Sequence, residues 1–324
     1  MKRRRLLRIV PGVAAICLAP LAWAQEAAYP NRPIRLIIPF PPGGGNDLMG
    51  RMVADRLGAQ LGVAVAVDNR GGAGGLIGTE TATQAAPDGY TLLLGSISTI
   101  SINPHLQARM SFDPLRDLTP VSLFAETPSV LVVPASLPAR SLAELIALAR
   151  ARPGQLNFAS AGNGTSHHLG GELLKATARI EIVHVPYRGS APALAGLLGG
   201  DTQMMIAPIA AVLTMIQAGQ LRALGVTSAE RSALLPEVPT IAESGVPGYE
   251  MTLWYGIFSP RGLPESILDR LNAEMAKLAQ SPEVRERLVA EGASPLHSTP
   301  QALAERARRD SDRWREIIRT LPPM

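Results

Sequence analysis

Short apolar runs, each followed by a small-residue turn and then by helical periodicity, recur along this chain and restrict its possible folds. Residues 34–38 form the first run, and Pro39-Phe40-Pro41-Pro42-Gly43-Gly44-Gly45-Asn46-Asp47 follows it. Leu48, Met52, Val53, Leu57 and Leu61 then fall at helical spacing. Residues 63–67 are the next strand, followed by Asn69-Arg70-Gly71-Gly72-Ala73-Gly74-Gly75 and a helix that starts at Leu76. A third strand at 90–94 comes after the turn Pro87-Asp88-Gly89. This βαβαβ rhythm predicts a parallel sheet flanked by helices. A second series runs through strands at 156–159, 182–185, 204–206 and 221–226, with Ser160-Ala161-Gly162-Asn163-Gly164-Thr165 as a third small-residue loop. Between the series, 121–124 and 130–133 read as separate strands, and the stretch after Asn103-Pro104 reads as turn-rich. Two such halves, with crossings near 125 and 230, predict an α/β protein of two lobes.

A glycine turn between a strand and a helix points backbone N–H groups and a helix N-terminus at one place, where an anion can sit. Two such turns predict a small anionic ligand held at strand C-termini. Neither loop has the Lys-Ser/Thr of a Walker phosphate loop, and neither matches GxGxxG with its acidic partner. Asn46 and Asp47 suit the first turn of the next helix, Asp47 chiefly as a structural complement to the helix dipole. His167 and His168 are adjacent and point apart on a helix, and His184 has no recognised ligand spacing with them, so no metal site is predicted. Ser160 lacks the G-x-S-x-G elbow of a serine nucleophile and suits a hydrogen bond to a ligand. Arg188 reads either as a rim arginine or as a countercharge across a cleft.

The N-terminus reads as a cleaved leader. Lys2, Arg3, Arg4, Arg5 and Arg8 precede an apolar core at 10–21, and Ala22-Trp23-Ala24 is a small-x-small cleavage site before Gln25. The general secretory route is the expected one; Arg3-Arg4-Arg5-Leu6-Leu7-Arg8 partly fits a twin-arginine signal. Cys17 is the only cysteine and lies in that core, so the mature chain has neither disulfide nor thiolate chemistry. Removing the leader takes five of the 31 basic residues and none of the 27 acidic ones, leaving 26 against 27. Nothing in that balance calls for nucleic acid. Aromatic residues are only 4%, which argues against a stacking surface for glycans.

These loops, in order along nearly the whole mature chain, resemble the tripartite tricarboxylate transporter substrate-binding family, also called the Bug or TctC family. The matching stretches are Arg32-Pro33-Ile34-Arg35 and residues 39–47, 69–78, 86–94, 102–104, 160–169, 183–198, 221–227, 235–240 and 290–293. The resemblance implies a type II-like periplasmic-binding-protein fold with a cleft between two mixed-sheet lobes. Lobe one would comprise 25–125 with 230–324, and lobe two 126–229. It implies a solute receptor in the periplasm that captures a small organic carboxylate by cleft closure, for a tripartite membrane transporter or a sensor. A monomer without cofactor or metal is expected.

By the same resemblance, ligand contacts would come from Pro41, Gly43, Gly44, Gly45, Asn46 and Asp47, and from Gly72, Ala73, Gly74 and Gly75. Ser96, Ile97 and Ser98 would follow the third strand. Lobe two would contribute Ser160, Gly162, Gly164, Thr165, His168, Tyr187, Gly189 and Ala207. Relatives often have Asp or Asn near position 207, so Ala207-Pro208, together with Ile97, implies a less polar far end. A small-carboxylate or ester hydrolase using the same cleft, and a partner-binding signalling protein without a solute, stay open as alternatives.

Overall fold

The computed structural model describes residues 29–106 and 110–320. The leader, its cleavage site and Cys17 lie outside the described residues. The strands are β1 (Ile34–Ile38), β2 (Val65–Asn69), β3 (Thr91–Ser96), β4 (Leu118–Pro134), β5 (Leu156–Ser160), β6 (Ile182–Pro186), β7 (Met204–Pro208), β8 (Leu221–Val226), β9 (Thr252–Pro260) and β10 (Ser294–Pro295). Their order is β2-β1-β3-β9-β4-β7-β5-β6, with β8 and β10 also paired to β4. In the first lobe β1 pairs in parallel with β2 and β3, and β9 runs antiparallel to β3 and β4. In the second, β5 pairs in parallel with β6 and β7, and β4 runs antiparallel to β7 and β8. The fold is a two-lobed α/β architecture of the periplasmic-binding-protein kind.

One strand belongs to both lobes. The sequence reads as two strands around Pro128; the structure has a single 17-residue strand, β4. Its first part pairs with β9 up to Pro128↔Thr252, and its second part begins pairing with β7 at Ser129↔Pro208. Proline lacks an N–H and fits only where a ladder bond is not required. Pro128 stands where the strand changes partners, and Pro120 stands beside a register shift. The return crossing is tied to the same place. Thr227 N–H donates to the Ser129 carbonyl at 2.8 Å, and Met251 N–H donates to the Thr227 carbonyl at 2.7 Å.

The stretch after β3 is helical up to the point where the turn-rich region is expected to begin. Ser98–Ile102 forms one wide helical turn and Asn103–Leu106 continues it. Pro104 falls in the first turn of that second piece, where a missing N–H costs little. The long helix Pro300–Thr320 packs across this segment: Ser101 donates to the Ala307 carbonyl at 2.9 Å, and Trp254 Nε1 donates to Asp310 at 2.7 Å. Ser141 caps the helix Leu142–Ala151, with its hydroxyl accepting the Glu144 N–H. Among the described residues, no helix is long and apolar enough to cross a membrane.

The first two loops are pressed against each other. A Cβ added at Gly71 would lie 2.8 Å from Pro41 Cδ. One added at Gly78, in the helix Leu76–Thr83, would lie 2.7 Å from both the Arg70 carbonyl oxygen and Pro39 Cα. Backbone atoms yield little, so Gly78→Ala is expected to destabilise the protein by about 1–3 kcal/mol through overpacking. Gly44 has open space around its Cβ position and an extended backbone, with φ −98°. Gly44→Ala is expected to leave the unfolding free energy within about 0.5 kcal/mol of the parent. Equilibrium urea denaturation of both variants checks this contrast.

Candidate functional site

The loops after β1, β2, β5, β6 and β7 meet in one cavity of about 1160 Å³. All five leave the C-terminal ends of strands and open into helices. The N-cap residues Gly44, Gly75, Thr165, Gly189 and Pro208 all line this cavity. Four of them make no side-chain cap hydrogen bond, and only Thr165 does, accepting from the His168 N–H. The first-turn N–H groups of a helix have no intrahelical partner, and the macrodipole places partial positive charge there. Only Glu172, Lys175 and Arg188 among the lining residues carry formal charge, and all three belong to the second half of the chain. The wall supplied by the first two loops is uncharged and built from backbone.

The loops are held in shape from behind. Asp47 accepts hydrogen bonds from the Gly43 N–H (2.9 Å), Arg51 Nε (3.0 Å) and Asn69 Nδ2 (3.0 Å). Asn69 Nδ2 also donates to the Phe40 carbonyl at 3.0 Å, which joins the end of β2 to the first loop. Burial opposes ionisation of Asp47, but these three hydrogen bonds and the Arg51 charge more than offset it and hold the carboxyl below its ordinary value. Gly43 and Gly75 adopt φ of +86° and +97°, a region that favours glycine. Asn103 Nδ2 donates to the Gly74 carbonyl at 2.7 Å, and a Cβ on Gly164 would lie 2.9 Å from Asn103 Oδ1, so this residue sits between the two lobes' loops.

Of the residues singled out from sequence, Pro41, Gly43, Gly44, Gly45, Asn46, Gly72, Ala73, Gly74, Gly75, Ser98, Gly162, Gly164, Thr165, His168 and Gly189 line the cavity. Asp47, Ser96, Ile97, Ser160, Tyr187 and Ala207 do not, and each sits behind the wall. Ser96 ends β3 and is 1% exposed; Ile97 is buried beside it. Ala207 is buried in β7 opposite Val130, and its neighbour Pro208 faces the cavity. Tyr187 packs beside Gly196 and donates its N–H to the Ser160 carbonyl. Ser160 is fully buried; its hydroxyl accepts the Gly162 N–H at 3.1 Å and lies 2.6 Å from His184 Nε2. It latches the third loop. Asn103, His184, Pro208, Leu253 and Tyr255 also line the cavity and are not among the sequence-derived site residues. Leu253 and Tyr255 lie on β9, more than two hundred residues from the first loop, and no local pattern marks them.

Behind the third loop stands a histidine stack. The rings of His168 and His184 lie 3.9 Å apart at 25°, with Phe158 4.9 Å from His184. The Gly164 N–H donates to His168 Nδ1 at 3.2 Å, so His168 orders the loop as an acceptor and carries its proton on Nε2. Burial lowers His168 to about 3, with His184 and the Lys175 charge adding to the effect. Burial and Lys175 lower His184 to about 4. All of these rings are uncharged at neutral pH. Among the described residues, no group of three or more His, Cys, Asp or Glu is placed to hold a metal ion.

The family model described as the tripartite tricarboxylate transporter family receptor, TctC, matches residues 49–322. The chain belongs to the TctC family. Protein BugT of Bordetella pertussis is 39% identical to this TctC receptor over 320 residues, covering 98% of each chain. A protein encoded in the tcbD-tcbE intergenic region of a Pseudomonas species is 42% identical, over 96% of this chain and 93% of its own. Among solved structures, R. palustris Rpa4515 with adipate superposes with a TM-score of 0.85 at 37% identity, covering 90% of this chain and 98% of that one. MatC from Rhodopseudomonas palustris with bound malate gives 0.83 at 31%, covering 90% and 100%. This TctC protein is therefore a periplasmic solute-binding receptor, and its relatives are transport receptors.

The receptor's stability should carry a histidine signature. Burial lowers His167 to about 4, and neither ring nitrogen has a hydrogen-bond partner. An unfolded histidine titrates near 6.5. Between these values the unfolded chain binds a proton that the folded chain does not. Stability is thus full above about pH 6.5 and falls as pH drops toward about 4. Between pH 7 and 4.5 the parent should lose on the order of 2 kcal/mol more than His167→Phe. Urea denaturation across that range reads this difference, and parallel pH profiles would contradict it.

Proposed function

We propose that this receptor captures a small carboxylate-containing solute by closing its two lobes over it. The carrying observation is the convergence of five helix N-termini on a cavity whose first-lobe wall has no fixed charge. Such a wall replaces the hydration shell of an anion with backbone N–H groups and dipoles, without a full opposing charge. The lobe boundaries 25–125 with 230–324, and 126–229, belong to this proposal, as does the delivery of the solute to a tripartite membrane transporter or a sensor. The bound acids of two relatives, adipate and malate, support the carboxylate class. Closure about the paired crossing at Ser129 and Thr227 favours the liganded state, because only that state desolvates the carboxylate between both sets of loops.

The pair Ser160–His184 has the spacing of a nucleophile and base, yet Ser160 is fully buried outside the cavity wall and engaged with Gly162. The hydrolase alternative gains no support from it. The reading rests on binding without turnover.

Native mass spectrometry of gently purified protein, followed by a thermal-shift panel of carboxylic acids and their carboxamides, tests the proposal. Acids should raise the melting temperature and their fully amidated analogues should not. Asn46 lines the cavity at the start of the helix Gly45–Leu61. Asn46→Asp, which places a negative charge in the clamp, should weaken acid binding about tenfold, or about 1.4 kcal/mol. Stabilisation only by compounds that lack a carboxylate would overturn the assignment.

A further inference from the structure

The cavity does not stop at the loops. It continues into the second lobe along one face of the helix Ser166–Ala178, where His168, Glu172 and Lys175 line it. These positions are four and three residues apart, so they stack on one side of a helix. The edge strand β6 borders the groove, with Ile182 and His184 on one face of the strand and Val183 on the other. From Ser166, where the helix meets the cleft, to Glu172 is six residues, or about 9 Å of helix axis. A small diacid held by the glycine loops does not fill that length.

The chemistry changes along this groove. Its near part is apolar and planar: the uncharged rings of His168 and His184 stack 3.9 Å apart and bridge helix to strand, and Ile182 follows on the same strand face as His184. Its far end is an ion pair. Glu172 is 3% exposed, and the Lys175 ammonium lies 3.2 Å from its carboxylate. A buried carboxylate beside an ammonium offers one acceptor and one donor side by side. A second carboxylate on the ligand meets Glu172 and a free ammonium meets Lys175, each with like charge. A carboxamide satisfies both partners, its N–H donating to Glu172 and its carbonyl accepting from Lys175.

We infer that this groove is a distal subsite for an elongated acid: the carboxylate sits at the glycine loops, and a neutral hydrogen-bonding group such as a carboxamide reaches the Glu172–Lys175 pair. An extended chain advances about 1.2 Å per bond, since a peptide covers about 3.5 Å in three, so about seven bonds span the distance. That is the length of an eight-carbon acid. The inference rests on the carboxylate reading of the same cavity and adds the length and far-end chemistry of the ligand.

Isothermal titration of the intact receptor with succinate, suberate, octanoate and suberic acid monoamide tests both layers. The monoamide should bind at least about tenfold more tightly than succinate or suberate. Glu172→Gln should remove most of its advantage over octanoate. Lys175→Met keeps the length of the side chain and removes the donor that the amide carbonyl meets. It should lower monoamide affinity about tenfold more than succinate affinity. Equal affinities for all four acids, or equal losses for short and long acids in Lys175→Met, would overturn the subsite while the carboxylate reading stands. No binding by any acid would overturn both.

Discussion

The sharing of strand β4 between two sheets governs this molecule. One part of β4 pairs with β9 and the other with β7 and β8, and the changeover falls at Pro128 and Ser129. Each sheet is therefore anchored to the same backbone. The parallel strands β1 and β2 on one side, and β5, β6 and β7 on the other, end toward a common cleft, which is where open α/β sheets bind ligands. Helix N-termini converge there as a consequence of topology, since the turns after β1, β2, β5, β6 and β7 all open on the same space. The Ser129–Thr227 bonds close the second crossing beside the first. In the proposed closure, these two connections form the short strap about which the lobes rotate.

The clamp that results relies on backbone. Its shape is set by buried side chains that do not reach the cavity: Asp47 fixes the Gly43 N–H, Asn69 ties the first loop to β2, and Ser160 fixes Gly162. This division matters electrostatically. Asp47 is a carboxylate close to the proposed anion site, but its charge is taken up by Arg51, Asn69 and the Gly43 N–H. The cavity keeps the positive ends of the helices without an opposing charge from the first lobe. The buried His167 and His168 and the half-buried His184, all uncharged, extend the same logic into the second lobe, where ring surface rather than charge lines the wall.

Much of this was legible in the sequence because it is local. The first strand, the glycine loops and the helices behind them follow from periodicity and from the need for φ > 0 at positions such as Gly43. The third loop was legible for the same reason. What escaped was non-local. Pro128 reads as a strand break until β7 and β9 are known to take turns at it. Asn103 reads as part of a turn, whereas its amide holds Gly74 from across the fold. Ser96, Ile97, Tyr187 and Ala207 neighbour cavity residues in sequence, but a strand's alternation and the packing of the turn put their side chains on the far side of the wall. Leu253 and Tyr255 reach the site only through the pairing of β9 with β3 and β4. No local motif marks Glu172 and Lys175; the packing of their helix beside β6 brings them to the cavity.

Amide-resolved NMR of the receptor titrated with a carboxylic acid tests the central claim most directly, because the claim concerns backbone N–H groups. At saturation, the amide protons of Gly44, Gly45 and Gly74 should move downfield, as expected for N–H groups that gain a charged acceptor, while the carboxamide analogue leaves them in place. Saturable binding of the acid with those three amides unmoved would contradict the account.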